Sequence, residues 1–104
     1  MAFQIGWSNA ALADLKSLVR YIARDDRSSA ERFGKLIISK IDGMIHFPRI
    51  GWIVPEFRDD HLREIVVAPY RIVYEIGDHL NTLTVLRVWH GARGDIELES
   101  DTNL

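Results

Sequence analysis

Leu62-Arg63-Glu64-Ile65-Val66-Val67-Ala68-Pro69-Tyr70-Arg71-Ile72-Val73-Tyr74-Glu75-Ile76-Gly77-Asp78-His79-Leu80-Asn81-Thr82-Leu83-Thr84-Val85-Leu86-Arg87-Val88-Trp89-His90 reads as three successive strands. Leu62–Val67 is rich in β-branched residues, which suit a pleated, half-buried surface. Side chains alternate between the two faces of a strand. Tyr70, Ile72, Tyr74 and Ile76 therefore fall on one face of the second run, and Arg71, Val73 and Glu75 on the other. Gly77-Asp78-His79 supplies a turn. In Thr82–His90 the same alternation groups Leu83, Val85, Arg87 and Trp89. Apolar residues also occupy the opposite parity, at Ile65, Val67, Val73, Leu86 and Val88. Strands apolar at both parities are expected to be covered on both sides.

Upstream, Phe3–Trp7 alternates as a short first strand, and Ser8 or Asn9 is a natural N-cap for a helix after it. Leu12, Leu15, Val19 and Ile22, with Leu18, recur at helical spacing and predict a helix over about 9–25. Ser28-Ser29-Ala30-Glu31 has the form of a capping box. It precedes the stripe Phe33, Leu36, Ile37, Ile41, Met44 and Ile45, so a second helix is expected over about 28–46, stopped by Pro48. The order β-α-α-β-β-β predicts an α+β domain, with a helical hairpin on one face of a mostly antiparallel four-stranded sheet. The long loop, the C-terminal tail or a second protein must then cover the other face.

A chain of 104 residues makes one domain, and 47% hydrophobic residues are enough for an ordinary core. There is no cysteine, which excludes a disulfide framework and thiolate metal sites and fits a reducing cytoplasm. Met1-Ala2-Phe3-Gln4 lacks the pattern of a signal peptide. No apolar run approaches the roughly 20 residues that span a bilayer, so no membrane association is expected. The net charge is −2, but residues 95–104 carry four acids and no base. Without those four, residues 1–94 hold 13 bases against 11 acids. That excludes the strongly basic balance of a protein held to nucleic acid by charge alone, while leaving room for a local basic face. Residues 47–61, with two prolines, a glycine and several large apolar side chains, form a long connection that must pack on something, and such loops tend to be functional.

No phosphate-binding glycine loop, zincin motif, nucleophile elbow or zinc-ligand spacing is present, and no cofactor or metal is expected. The four histidines, His46, His61, His79 and His90, stand singly. Arg63, Arg71, Arg87 and Arg93 lie on or just after the strands, where a sheet could hold them as a phosphate-binding array. The more ordinary reading pairs them with Glu64, Glu75 and Glu56 to solvate the sheet. His90 closes the last strand with Arg93 just beyond, an arrangement that could move a proton and neutralise charge on phosphorus, or could simply cap a turn. Tyr70 and Tyr74 read as core, and Trp7, Trp52 and Trp89 as apolar area or the rim of a groove.

Three segments together resemble a known family. They are the strand ending in Trp7 with Ala11, Asp14-Leu15 and Tyr21-Ile22; Phe47-Pro48-x-x-Gly51 running to Val54-Pro55-Glu56 and Leu62-Arg63-Glu64; and Tyr70–Ile76 followed by Val85–Arg93. In this order and spacing, over residues 3–94, they are similar to the RelE/ParE superfamily of toxins from type II toxin–antitoxin pairs. The resemblance implies a toxin domain over residues 1–94 with an acidic tail over 95–104. It implies a cognate antitoxin whose flexible segment wraps the toxin in a hetero-oligomer, and Trp52, Ile65, Val67, Val73, Leu86 and Val88 are the expected antitoxin contacts. It also implies one of two targets, the ribosome with its messenger RNA or DNA gyrase. In the RNA-cutting branch a metal-free endoribonuclease uses a loop glutamate, a strand arginine and a terminal His-Tyr pair. Glu56, Arg71 and His90 match three of these, Arg63 could assist, and Gly91 stands where the tyrosine would be. The missing tyrosine and the lack of a basic surface favour the gyrase-inhibiting branch. There Arg87, Arg93 and Tyr74 are candidate target contacts. A stable member that has lost toxicity is the third reading.

Overall fold

The computed structural model describes residues 2–98. The chain runs β1 (Gln4–Trp7), α1 (Asn9–Ala23), α2 (Arg27–Asp42), β2 (Trp52–Ile53), β3 (Leu62–Val67), β4 (Tyr70–Gly77) and β5 (Thr82–His90), with short 3-10 turns at Pro48–Ile50 and Gly91–Arg93. The strands form one sheet in the order β1-β5-β4-β3-β2. β1 runs parallel to β5 and every other pair is antiparallel. The fold class is the α+β architecture expected, with one more strand. β2 is only two residues long and lies inside the loop over 47–61, too short to leave an alternation in the sequence.

The helix starts follow capping chemistry. Ser8 Oγ accepts from the Ala11 N–H and opens α1. The cap of α2 is Asp26, whose carboxylate accepts from the Ser29 N–H, so the box expected at Ser28 and Glu31 does not form. α2 ends at Asp42, before Pro48 is reached; a succession of tight turns over residues 43–47 separates them.

The helices cover one sheet face. Ala11, Leu18, Ile37, Ile41 and Met44 pack there against Val67, Ile72, Tyr74, Ile76, Leu83, Val85 and Val88. The last strand does not keep strict alternation. Val73 pairs with Arg87 but Tyr74 pairs with Val85, so Leu86 is an extra, bulged residue. As a result Leu83, Val85 and Val88 share the helix face, while Trp89 joins Val54, Val73 and Ile96 in a second cluster on the opposite face. The grouping of Leu83, Val85, Arg87 and Trp89 on one face is corrected accordingly.

β1 pairs only as far as Val85, so the remainder of β5 has no neighbouring strand on that side. The start of α1 satisfies this free edge. Ser8 N–H donates to the Val85 carbonyl and Ser8 Oγ to the Leu86 carbonyl, both short. The Asp14 carboxylate accepts from the Val88 N–H at 2.9 Å. A sheet edge is thus closed by side chains where a strand runs out.

Candidate functional site

The face away from the helices is covered by the chain itself. Val54 of the long loop and Ile96 of the tail pack with Val73 and Trp89, and Leu62 and Leu98 flank them. Two of the three coverings expected from the sequence, loop and tail, are therefore in place. The tail residues Glu99 and Asp101 lie outside the described residues.

Beside this cluster, Arg71 of β4 reaches across to Glu64 of β3, two residues along from its direct cross-strand partner Val66. Arg71 Nε and Nη2 donate to Glu64 at 2.6 and 2.9 Å, and Nη1 and Nη2 donate to Glu56 at 2.7 and 2.9 Å. The Ile96 N–H also donates to Glu56. The hydrogen bonds from Arg71 hold the Glu56 carboxyl at about 2, against the opposing cost of its burial. The two carboxylates push the guanidinium in the other direction, further above its ordinary value. One cation held between two carboxylates carries net negative charge and has little left to offer a phosphate.

His90 lies elsewhere. Arg71 pairs with Trp89 while Tyr70 pairs with His90, and adjacent residues of a strand face opposite ways. The His90 ring packs edge-on to Tyr70, which in turn meets Phe33 of α2, so it sits on the helix side. Its Nδ1 accepts from the Ala92 N–H at 3.0 Å, which makes it the cap of the last 3-10 turn. The structure thus brings Glu56 and Arg71 together and puts His90 across the sheet from them.

The other arginines are engaged. Arg63 donates to the Asp60 carboxylate and carbonyl and to the Gly51 carbonyl, and so fastens the long loop to β3. Arg87 forms a two-pronged pair with Asp14 at 2.8 and 2.9 Å and donates to the Glu97 carbonyl, joining α1 to the tail. Arg93 lies 3.9 Å over the Trp89 ring and remains exposed. Tyr74 is fully buried and donates to the Pro48 carbonyl at 2.6 Å, while the Gly51 N–H donates to its oxygen. That explains Gly51, because a Cβ there would strike both the Tyr74 hydroxyl and the Glu64 carbonyl. Burial pushes the Tyr74 phenol up from its ordinary value.

Of the six apolar residues expected to meet an antitoxin, Trp52 is 77% exposed. Leu86 and Ile65 are half-buried, with Ile65 packed against the helix-side core. Val67, Val73 and Val88 are inside the chain's own two cores and leave no surface for a partner. Their apolar character serves a sheet that is filled on both sides. Among the exposed apolar residues outside that set, Phe47, Ile50, Val66 and Leu80 are each more than 60% exposed. Ile50 and Val66 line a shallow depression with Leu36, Ser39, Lys40, Met44 and Ile65 among others, Phe47 and Ile50 line an adjoining one, and Trp52 lies on the short β2 strand. The clue available in the sequence was the apolar density of residues 47–53.

Comparison with known proteins bears on both family and fold. Residues 5–94 match the family model described as the ParE toxin of the type II toxin–antitoxin system parDE. Toxin RelE2 of Caulobacter vibrioides is 32% identical over 91 residues, covering 86% of this chain and 97% of the relative. Among solved structures, the chromosomal ParDE system of P. aeruginosa superposes with a TM-score of 0.69 at 15% identity, over 86% of this chain and 96% of that one. A mutant of the E. coli toxin RelE in the free state gives 0.67 at 19% identity, over 97% and 94%. At these identities the structural likeness is one of fold.

Proposed function

The chain belongs to the RelE/ParE superfamily of type II toxin–antitoxin toxins, and from that premise we propose that it inhibits growth by binding DNA gyrase rather than by cutting messenger RNA. The observation that carries this reading is the state of Arg71. A nuclease arginine must be free to meet the phosphate whose charge grows in the transition state. Arg71 is held on both sides by Glu56 and Glu64. The second catalytic candidate, His90, lies on the opposite sheet face, so the two do not converge on one scissile bond. Charge supports the same conclusion, since a net −2 chain has little electrostatic affinity for ribosomal RNA. In cells expressing the chain without its antitoxin, a reporter plasmid should lose negative supercoils while messages keep intact 5′ ends. Messages cut at codon positions, with normal plasmid topology, would assign it to the ribonuclease branch.

The cognate antitoxin is proposed to lie along the β2 edge, over Phe47, Ile50, Trp52 and Val66. This is an apolar rim next to a strand edge with no further strand among the described residues, an arrangement suited to an extended segment that folds on binding. Trp52→Ala and Val66→Glu should each weaken capture by the antitoxin at least tenfold while leaving the thermal midpoint of the free toxin nearly unchanged. Full-strength capture by both variants would move the antitoxin to another surface. The assembly is then a cytoplasmic toxin–antitoxin hetero-oligomer. No helix among the described residues is long and apolar enough to cross a membrane.

A further inference from the structure

Arg49 is the middle residue of the 3-10 turn Pro48–Ile50 and lies between two exposed apolar residues, Phe47 and Ile50. Its guanidinium makes a two-pronged pair with Asp78 of the β4–β5 turn, at 3.0 and 2.9 Å, and its Nε donates to Asp60 at 3.1 Å. Asp60 lies at the far end of the same loop and is also held by Arg63 of β3, whose Nη1 donates back to the Arg49 and Gly51 carbonyls. The His61 ring stands 3.1 Å from the Asp78 carboxylate. One side chain thus ties the first residues of the loop over 47–61 to its last residues and to a neighbouring hairpin turn.

This network has little value as stabilisation. Arg49, Asp60 and Asp78 are exposed, and exposed ion pairs contribute little to folding. Its consequence is geometric. From beneath, the Tyr74 hydroxyl donates to the Pro48 carbonyl and accepts from the Gly51 N–H. From the solvent side, Arg49 holds the same turn to Asp60 and Asp78. The turn is fixed from both sides, and what it carries outward is apolar. Phe47 and Ile50 line a depression of about 450 Å³ with Pro48 and Arg49, and Trp52 follows directly after Gly51. A slack loop would fold these side chains away from water. The clamp keeps them presented to it.

We propose that Arg49 is a positioning residue for antitoxin capture, and that its clamp on Asp60 and Asp78 presents the apolar rim ready-made. The inference rests on the reading that places the antitoxin along the β2 edge. A segment that docks on a preformed rim does not have to order that rim. Without the clamp, only a fraction of free chains carry the rim in its binding conformation, and capture slows by that fraction. Once the complex has formed, the contacts of Phe47, Ile50 and Trp52 are the same, so its lifetime changes little. Arg49 therefore acts on association, whereas a side chain that touches the partner acts mainly on dissociation.

The test is the kinetics of capture, with purified cognate antitoxin immobilised and the full chain in solution at fixed ionic strength. Arg49→Gln is expected to slow association about tenfold, with dissociation within about twofold of the unaltered chain. Asp78→Asn is expected to slow association in the same way. The two substitutions change the surface charge in opposite directions, so electrostatic steering of the encounter would move their rates apart rather than together. The double variant should be no slower than the slower single one, because both break one contact. Both residues are exposed, so these variants keep the fold. Hydrogen exchange on the free chain supplies a readout that needs no partner. The Gly51 amide should exchange about tenfold faster in Arg49→Gln, with the Val88 amide unchanged. Unchanged exchange at Gly51 would show that the turn is fixed without Arg49 and would overturn the proposal. Trp52→Ala separates the clamp from the reading beneath it. Faster dissociation of Trp52→Ala, together with unchanged or oppositely shifted association of the Arg49 and Asp78 variants, would overturn the clamp and leave the docking surface standing. Unchanged capture of Trp52→Ala would remove the surface, and the role of the clamp with it.

Discussion

Arg71 shows how one side chain can be read two ways from sequence. Its residue type and strand position fit a phosphate-binding arginine, and they fit equally a cation that solvates two acids inside a sheet. The structure gives the second arrangement. Of the three acids available by sequence, Glu64 and Glu56 are engaged, while Glu75 is exposed. Glu64 could be anticipated from the diagonal cross-strand position. Glu56 could not, because its approach depends on how the loop over 47–61 returns to the sheet. Arg71→Met should cost about 3–5 kcal/mol, because it leaves two partly buried carboxylates facing each other without a cation. Chemical denaturation at neutral pH would measure this, and a cost below about 1 kcal/mol would show that the pair is solvated in solution. Acid behaviour provides a second check. The Glu56 carboxyl lies at about 2 in the folded chain against an ordinary 4.5, so the unfolded chain binds the extra proton between those values. The stabilisation from Glu56 is complete above pH 4.5 and is lost as pH falls towards 2. Glu56→Gln should flatten that part of the stability profile.

At the scale of elements, the strands Leu62–Val67 and Thr82–His90 were legible to the residue, because their β-branched runs are bounded by clear breaks. What alternation could not reveal was the bulge at Leu86, since an inserted residue leaves the composition of a strand unchanged while reversing the faces beyond it. The same blindness assigned Val88 to a partner surface when it belongs to the core. The two-residue β2 escaped for lack of length, and the cap of α2 moved because Asp26 competes with Ser28 for the same free N–H groups. Asp14 joins two elements, because its carboxylate holds both the Arg87 guanidinium and the free β5 edge. Asp14→Ala should destabilise the chain by about 3 kcal/mol, because Arg87 loses its carboxylate partner in a largely buried position and the Val88 N–H loses its acceptor. Hydrogen exchange should show the Val88 amide losing protection first. Unchanged protection there would mean that the edge is closed by something other than α1.

For the whole molecule, the fold and family were legible because three segments kept their order and spacing over nearly the entire chain. The site was less so. The sequence placed Glu56, Arg71 and His90 as one constellation, and the sheet divides them between its faces. The sheet face that carries Arg71 is filled by Val54, Ile96 and a net negative Glu56–Arg71–Glu64 group. Exposed aromatic side chains remain at Phe47 and Trp52 near β2 and at Tyr21 on α1, and α1 also carries the exposed cations Arg20 and Arg24. This distribution of charge favours a toxin that grips its target over one that cuts it. The measurement that bears most directly on this is made on the purified chain, assayed in parallel for inhibition of gyrase supercoiling of relaxed plasmid and for cleavage of messenger RNA on translating ribosomes. Loss of supercoiling with intact message is the predicted result; cut message with normal supercoiling would contradict the account and return Arg71 and His90 to an active site.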